Sequence, residues 1–192
     1  MLLEADVFIT LPVLKTHSLT YFTGALKNQW GCVPQYDRIL LHKWLDPMLV
    51  SLQGLLRPRL AIMDGIVGME GRGPVNGRPR RLDIVLASRD AVALDVSAMR
   101  LVGLNPDRAV HVALAAREGL GGFEPEQIEI DGDWQRHSTQ FEPAVLDRAQ
   151  AAMNYMSRYR WFVKLALESD YVFEPGRALV QLLRRVGVVE GG

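Results

Sequence analysis

Val7, Ile9 and Leu11 alternate with Phe8 and Thr10, a period of two that predicts a strand ended by Pro12. After Lys15-Thr16-His17 the period lengthens. Leu19, Phe22, Leu26 and Trp30 recur at helical spacing, with Ser18 suited to the N-cap and Gly31 to a left-handed closing position, so a helix is expected over 18–30. Asp46-Pro47 reads as a cap with a first-turn proline, opening a helix through Met48, Leu49, Leu52 and Leu56 that stops before Pro58. Residues 60–63 are an apolar run of strand length that delivers Asp64 at its carboxyl end, and residues 82–87 form a second buried strand. Between them, residues 65–77 are the richest glycine stretch of the chain, which predicts an irregular loop. Ser88 or Asp90 caps a helix carrying Val92, Val96, Met99 and Leu101 and ended by Gly103. A further helix fits 107–118, closed by Gly119, and a short strand fits 128–130. From Pro143 onward the pattern is helical, rich in arginine and aromatics, and interrupted at Pro175-Gly176.

Strands alternating with helices predict an α/β fold: a layered, mainly parallel sheet flanked by helices, with a helical C-terminal extension. The α/β domain is expected over 1–142 and the extension over 143–192. A chain of 192 residues is long enough for one real core. Its 22 Lys+Arg balance 22 Asp+Glu, so no overall excess of positive charge points to a nucleic-acid partner. The single cysteine, Cys32, excludes an intrachain disulfide and a cluster held by several cysteines of this chain, and it points to the cytoplasm. No segment reaches the roughly 20 apolar residues of a membrane helix, so no membrane span is expected. Residues 1–6 carry acid where a secretory signal carries base. The strand pattern begins almost at once, which suggests an N-terminally truncated domain.

Two constellations carry candidate chemistry. In the first, Lys15 and His17 follow a strand and precede the expected helix, where free N–H groups and the helix dipole favour anions. Lys27 and Asn28 lie near the other end of that helix, roughly 18 Å away at 1.5 Å per residue, so the two lysines would serve different parts of a site. His42 adjoins Lys43 and Trp44. The plainer alternative is solvated lysines, a packing or capping His17, and a His42 in a surface turn. The second constellation is the loop from Asp64 to Pro74, beginning where ligands bind in open α/β sheets. Its Gly68, Gly71 and Gly73 permit close backbone approach to a bound group, although neither glycine-rich nucleotide fingerprint is met. Asp64 and Glu70 are candidates for holding a hard cation or for acid–base work; the alternative is a glycine-built turn capped by Asp64.

Other features favour structural roles. Asp90 is most simply a cap, and Asp95, among apolar neighbours, needs a partner if buried. Arg78, Arg80 and Arg81 suit a solvated turn better than a phosphate site, His111 suits packing, and Cys32 suits an inert buried thiol. The basic–aromatic tail, with Tyr159, Arg160, Trp161, Phe162, Arg184 and Arg185, suits packing on the domain or covering an oligomer interface better than touching a membrane surface or a partner.

Residues 5–9 (Ala-Asp-Val-Phe-Ile), Leu14-Lys15-Thr16-His17-Ser18-Leu19-Thr20, and Thr23-Gly24-Ala25-Leu26-Lys27-Asn28 followed by Gly31-Cys32-Val33-Pro34 together resemble the DUF362 family. So do Asp64-Gly65-Ile66, Gly68-Met69-Glu70-Gly71 with Gly73-Pro74, Ser88-Arg89-Asp90-Ala91-Val92-Ala93 with Asp95, and Glu118-Gly119-Leu120-Gly121. The resemblance covers about residues 4–132. It implies a further N-terminal portion of the domain and an association with iron–sulfur ferredoxin modules, but the cysteine motifs of those modules are missing, so no cluster bound by this chain alone is expected. A fainter likeness joins Gly24-Ala25-Leu26-Lys27, Pro34 and His42 to the N-terminal domain of nickel-pincer lactate racemases. It implies a cofactor-anchoring Lys27 and a ligand or proton-transfer role for His42.

The leading expectation is a domain that binds a small anionic substrate or cofactor. Lys15, His17, Asn28, Gly68, Gly71 and Gly73 would hold the ligand, and Lys27, His42, Asp64 and Glu70 would supply redox-linked or acid–base chemistry. The alternative is a non-catalytic assembly module for an iron–sulfur electron-transfer partner. A homo-oligomer fits either; the cofactor and any metal stay open.

Overall fold

The computed structural model describes residues 2–35, 38–146 and 148–167. The chain divides into two compact units, one of Met1–Pro34 with Leu45–Val145 and one of Gln35–Trp44 with Leu146–Gly192.

The first unit is an α/β layer. Its strands are β1 (Ile9–Thr10), β2 (Val13–His17), β3 (Tyr21–Thr23), β4 (Leu60–Glu70) and β5 (Arg78–Ser88). Its helices are α1 (Ala25–Asn28), α2 (Leu45–Leu56), α3 (Ala91–Leu101) and α4 (Val110–Arg117). Parallel pairing lies at the centre of the sheet. β1 runs beside the start of β4, with Ile9 opposite Leu60, and β2 beside its later half, with Val13 opposite Asp64 and Lys15 opposite Met69. An antiparallel hairpin flanks each side, β2–β3 and β4–β5. β1 and β2 are thus two pieces of one extended run along the same edge of β4. Pro12 interrupts this run without ending it, and its carbonyl accepts the Asp64 N–H at 2.8 Å.

Three sequence expectations are corrected here. No helix occupies 18–30. The chain turns at 18–20 into β3, then makes the single turn α1 and a 3-10 turn over Gln29–Cys32. Phe22, Leu26 and Trp30 are buried as the helical spacing required, but from three different elements. Tyr21, at φ 67°, bends the hairpin, with the Arg108 guanidinium 4.7 Å from its ring centroid. The glycine stretch after Asp64 is largely strand, since β4 continues to Glu70. Gly65 and Gly68 are strand positions where a side chain would strike Ile84, Leu14 or Phe141. Finally, residues 128–130 form no strand, because no strand among the described residues pairs with them.

Much of the helical pattern holds. α3 starts where Asp90 Oδ1 accepts the Ala93 N–H at 2.9 Å. Gly103 and Gly119 follow α3 and α4 at φ 66° and 70°, the left-handed conformation that glycine adopts at least cost. Leu14, Phe22, Met63, Val92, Val96 and Met99 are central to a core between the sheet and the helices. The opposite face of the sheet leaves Ile9, Val13, Val67 and Val85 exposed.

The second unit holds a 3-10 segment over Arg38–Trp44 and helices α5 (Arg148–Met156) and α6 (Arg160–Leu167). Val163 is buried and Trp161 exposed. Pro175-Gly176, Arg184 and Arg185 lie outside the described residues.

Candidate functional site

β2 and β4 run parallel, so their carboxyl ends lie side by side, and the two candidate segments meet there. Thr16 Oγ1 donates to the Gly71 carbonyl at 3.0 Å, and Ser18 N–H donates to the Gly73 carbonyl at 3.1 Å. The approach is so close that a Cβ on Gly73 would sit 2.0 Å from the Thr16 carbonyl oxygen, which only glycine avoids. Gly71 turns the chain at φ 73°. Gly68 is buried against Leu14 and Phe141, one turn of the pleat before the loop.

Lys15 is half-buried opposite Met69. His17 is buried, and its Nδ1 accepts the N–H groups of Leu19 (3.1 Å) and Thr20 (3.3 Å), so that nitrogen is committed to the hairpin turn. The pairing of Lys15 with Thr23 also corrects the separation of Lys15 from Lys27. With a hairpin in place of a long helix, Lys27 lies only four residues beyond Lys15's own strand partner. Lys27 is half-buried, its ammonium 5.9 Å from the Trp30 ring centroid. Asn28 points its amide to Thr10 Oγ1 at 2.9 Å, tying α1 to β1.

The two candidate carboxylates are not brought together. On β4 the buried positions are 61, 63 and 65, then 68 and 70, because the register shifts between Gly65 and Val67. Asp64 therefore lies on the exposed face and Glu70 on the buried one, roughly 20 Å apart along six residues of strand. Asp64 Oδ1 accepts the Ile66 N–H at 2.9 Å, and its strand partner Val13 is two residues from Lys15. Glu70 is 4% exposed and already engaged. Its Oε2 accepts the Glu142 N–H at 3.0 Å, while Arg78 and Arg80 stand 3.5 and 3.7 Å from Oε1. Arg78 also pairs with Glu142, and Arg81 with Asp83, so the basic cluster of β5 is a set of ion pairs. His42 belongs to the second unit, in the 3-10 segment 38–44.

A connection hidden in the sequence is the one between Asp95 and α1. Asp95, fully buried on α3, accepts the Ala25 N–H at 2.6 Å and the Leu26 N–H at 3.1 Å. Burial raises its pKa from 3.8 to about 7, against the pull of the two amides. A Cβ on Gly24 would lie 2.0 Å from Asp95 Oδ1. The signal was available in outline: an aspartate on an apolar helix needs donors, and Gly24 opens a segment that supplies them. Asp90 works similarly, its Oδ2 accepting the Gly122 N–H at 2.8 Å. Thr16 and Arg72, not singled out beforehand, also belong to the strand-end cluster. Burial raises the pKa of the Cys32 thiol, which disfavours a reactive thiolate. Among the described residues, no three His, Cys, Asp or Glu side chains gather as a metal-ligand set.

The described residues form an α/β fold with a centrally parallel sheet flanked by helices. Residues 1–100 match the family model described as "Domain of unknown function (DUF362)", and the chain belongs to that family. It is similar to the thylakoid-associated protein sll1697 of Synechocystis, with 37% identity over 135 residues, covering 67% of this chain and 41% of that protein. The chain thus spans about two-fifths of the length of that relative. No solved structure matches it. No helix among the described residues is long and apolar enough to cross a membrane.

Proposed function

We propose that the carboxyl ends of β2 and β4 bind a small anionic substrate or cofactor, with Lys15 as the main cationic contact. The observation supporting this reading is the hydrogen-bonded juxtaposition of Thr16 and Ser18 with Gly71 and Gly73. It lies at the end of a parallel pair, where open α/β sheets receive ligands. Gly71 and Gly73 bring the loop backbone close, Arg72 on the loop adds an exposed cation, and His17 fixes the turn. Lys27 is the second cation, reached through β3. Asp64 is solvent-exposed but lies six residues before Glu70 on β4, away from the strand ends, so it stands outside this site. Glu70 holds the loop through Arg78, Arg80 and Glu142. The low cysteine content fits a cytoplasmic setting.

Titration calorimetry with inorganic phosphate and with malonate as probes tests this reading. Saturable binding that weakens with added salt is expected for the wild type, and at least a tenfold loss for Lys15→Ala, with a smaller loss for Lys27→Ala. Equal affinity in wild type and Lys15→Ala, or no binding of either anion, overturns it.

The exposed aliphatic face of Ile9, Val13, Val67 and Val85 favours a second reading, an assembly module within a larger redox complex. Intact anion binding with no change on Lys15→Ala, together with stable association with an iron–sulfur protein, would favour it.

A further inference from the structure

The two halves of β5 present opposite kinds of edge. β4 pairs along one side of β5, and no other described strand pairs with the second side. Over Arg78–Leu82 that outer side is defended. Three arginines and Pro79 discourage pairing, the His137 ring stands 2.9 Å from the Leu82 carbonyl through Nδ1, and Arg80 reaches Thr139 Oγ1 at 3.4 Å. Over Val85-Leu86-Ala87-Ser88 no charge and no proline stands on the strand. A groove of about 380 Å³ runs beside this undefended stretch.

The far wall of the groove is the extended segment 127–131, and its floor includes Ala93, Leu94 and Ser97 of α3. The wall is held in place from behind. The Gln127 side chain accepts the N–H groups of Phe123 (2.9 Å) and Glu124 (3.1 Å), and Ile128 keeps an extended backbone at φ −120°, ψ 110°. Among the described residues no backbone hydrogen bond links this wall to β5. The segment has the strand-like composition of Ile128-Glu129-Ile130 but stands off from the edge it would otherwise join.

Charge narrows the occupant. Among the described residues, Asp90, Glu129 and Asp131 line the groove and no basic residue does. Both carboxylate oxygens of Asp90 are engaged by backbone N–H groups, whereas Glu129 and Asp131 are exposed and make no ion pair with another described residue. Four residues of strand, roughly 13 Å at about 3.3 Å each, match the undefended stretch in length. We propose that this groove receives an extended, basic peptide segment of a protein partner. The segment would add as a strand to Val85–Ser88 and place lysine or arginine side chains against Glu129 and Asp131.

The test uses the full chain and a fluorescein-labelled hexapeptide of alternating valine and lysine, with the valine–glutamate counterpart as control. Fluorescence anisotropy gives affinity, and hydrogen–deuterium exchange reports the amides of 85–88. The lysine peptide is expected to bind saturably, at least tenfold tighter than the glutamate peptide, and to slow exchange at 85–88. The exposed double substitution Glu129→Lys with Asp131→Lys, checked for an unchanged melting temperature, should reverse the preference. A lysine peptide that fails to bind overturns the proposal, as does binding indifferent to the double substitution or binding that leaves exchange at 85–88 unchanged. Phosphate and malonate binding at Lys15 is read separately, so either assignment can fail alone.

Discussion

Asp95 and Glu70 are both carboxylates drawn almost wholly out of water, yet the chain satisfies them by different means. Among the described residues Asp95 meets only backbone amides, those of Ala25 and Leu26, and burial pushes its pKa up to about 7. Glu70 meets one amide and two guanidinium groups, whose own side chains are 69% and 46% exposed. The first arrangement fastens α1 to α3 with no counter-charge, and the second staples the end of β4 to β5 and to Glu142. Both carboxylates are therefore occupied in holding the framework. Lys15, half-buried near the end of β2, is the cation that the proposed anion site relies on.

Gly24→Ala disturbs the Asp95 arrangement most, because the new Cβ would fall 2.0 Å from Asp95 Oδ1 inside a packed core. A loss of about 3 kcal/mol in urea unfolding is expected. Adding Asp95→Ala should cost less than the sum of the two single changes, since it removes the clashing carboxylate. The next effect is on pH dependence. The folded protein keeps a proton on Asp95 that the unfolded chain, near 3.8, gives up, so this contribution is full below about pH 4 and is lost as pH rises to about 7. Unfolding curves across that window should decline less steeply for Asp95→Asn than for wild type. Glu70→Gln keeps shape and amide acceptor but removes the charge facing Arg78 and Arg80; about 1–2 kcal/mol is expected. Arg80→Ala removes only a solvent-screened partner, and its cost should stay below about 1 kcal/mol.

The parts of the fold that were legible are those that depend on local chemistry. Asp90 before an apolar run marks the start of α3, and Gly103 and Gly119 mark where α3 and α4 end. The hairpin at 18–23 was hidden because Leu19, Phe22, Leu26 and Trp30 imitate a helical stripe, while its turn depends on Tyr21 at positive φ and on the His17 ring accepting two amides. The full length of β4 is hidden in the sequence because glycine reads as loop in isolation. The demand for Gly65 and Gly68 comes from Ile84, Leu14 and Phe141, distant in sequence. Strand pairing is a property of two segments, so 128–130 carries a strand pattern without a ladder. For the candidate site, residue type and position propose Lys15 and the glycine turn. The opposite facing of Asp64 and Glu70 depends on one register shift that no spacing rule reveals.

The claim most exposed to failure is that 15–18 and 71–73 surround one anion. Backbone NMR of the full chain during titration with inorganic phosphate addresses it directly. The amides of Ser18, Gly71, Arg72 and Gly73 should shift together with one saturation constant, and Lys15→Ala should weaken that constant at every one of them. Shifts confined to other parts of the chain, or four amides that saturate independently, would contradict the shared site.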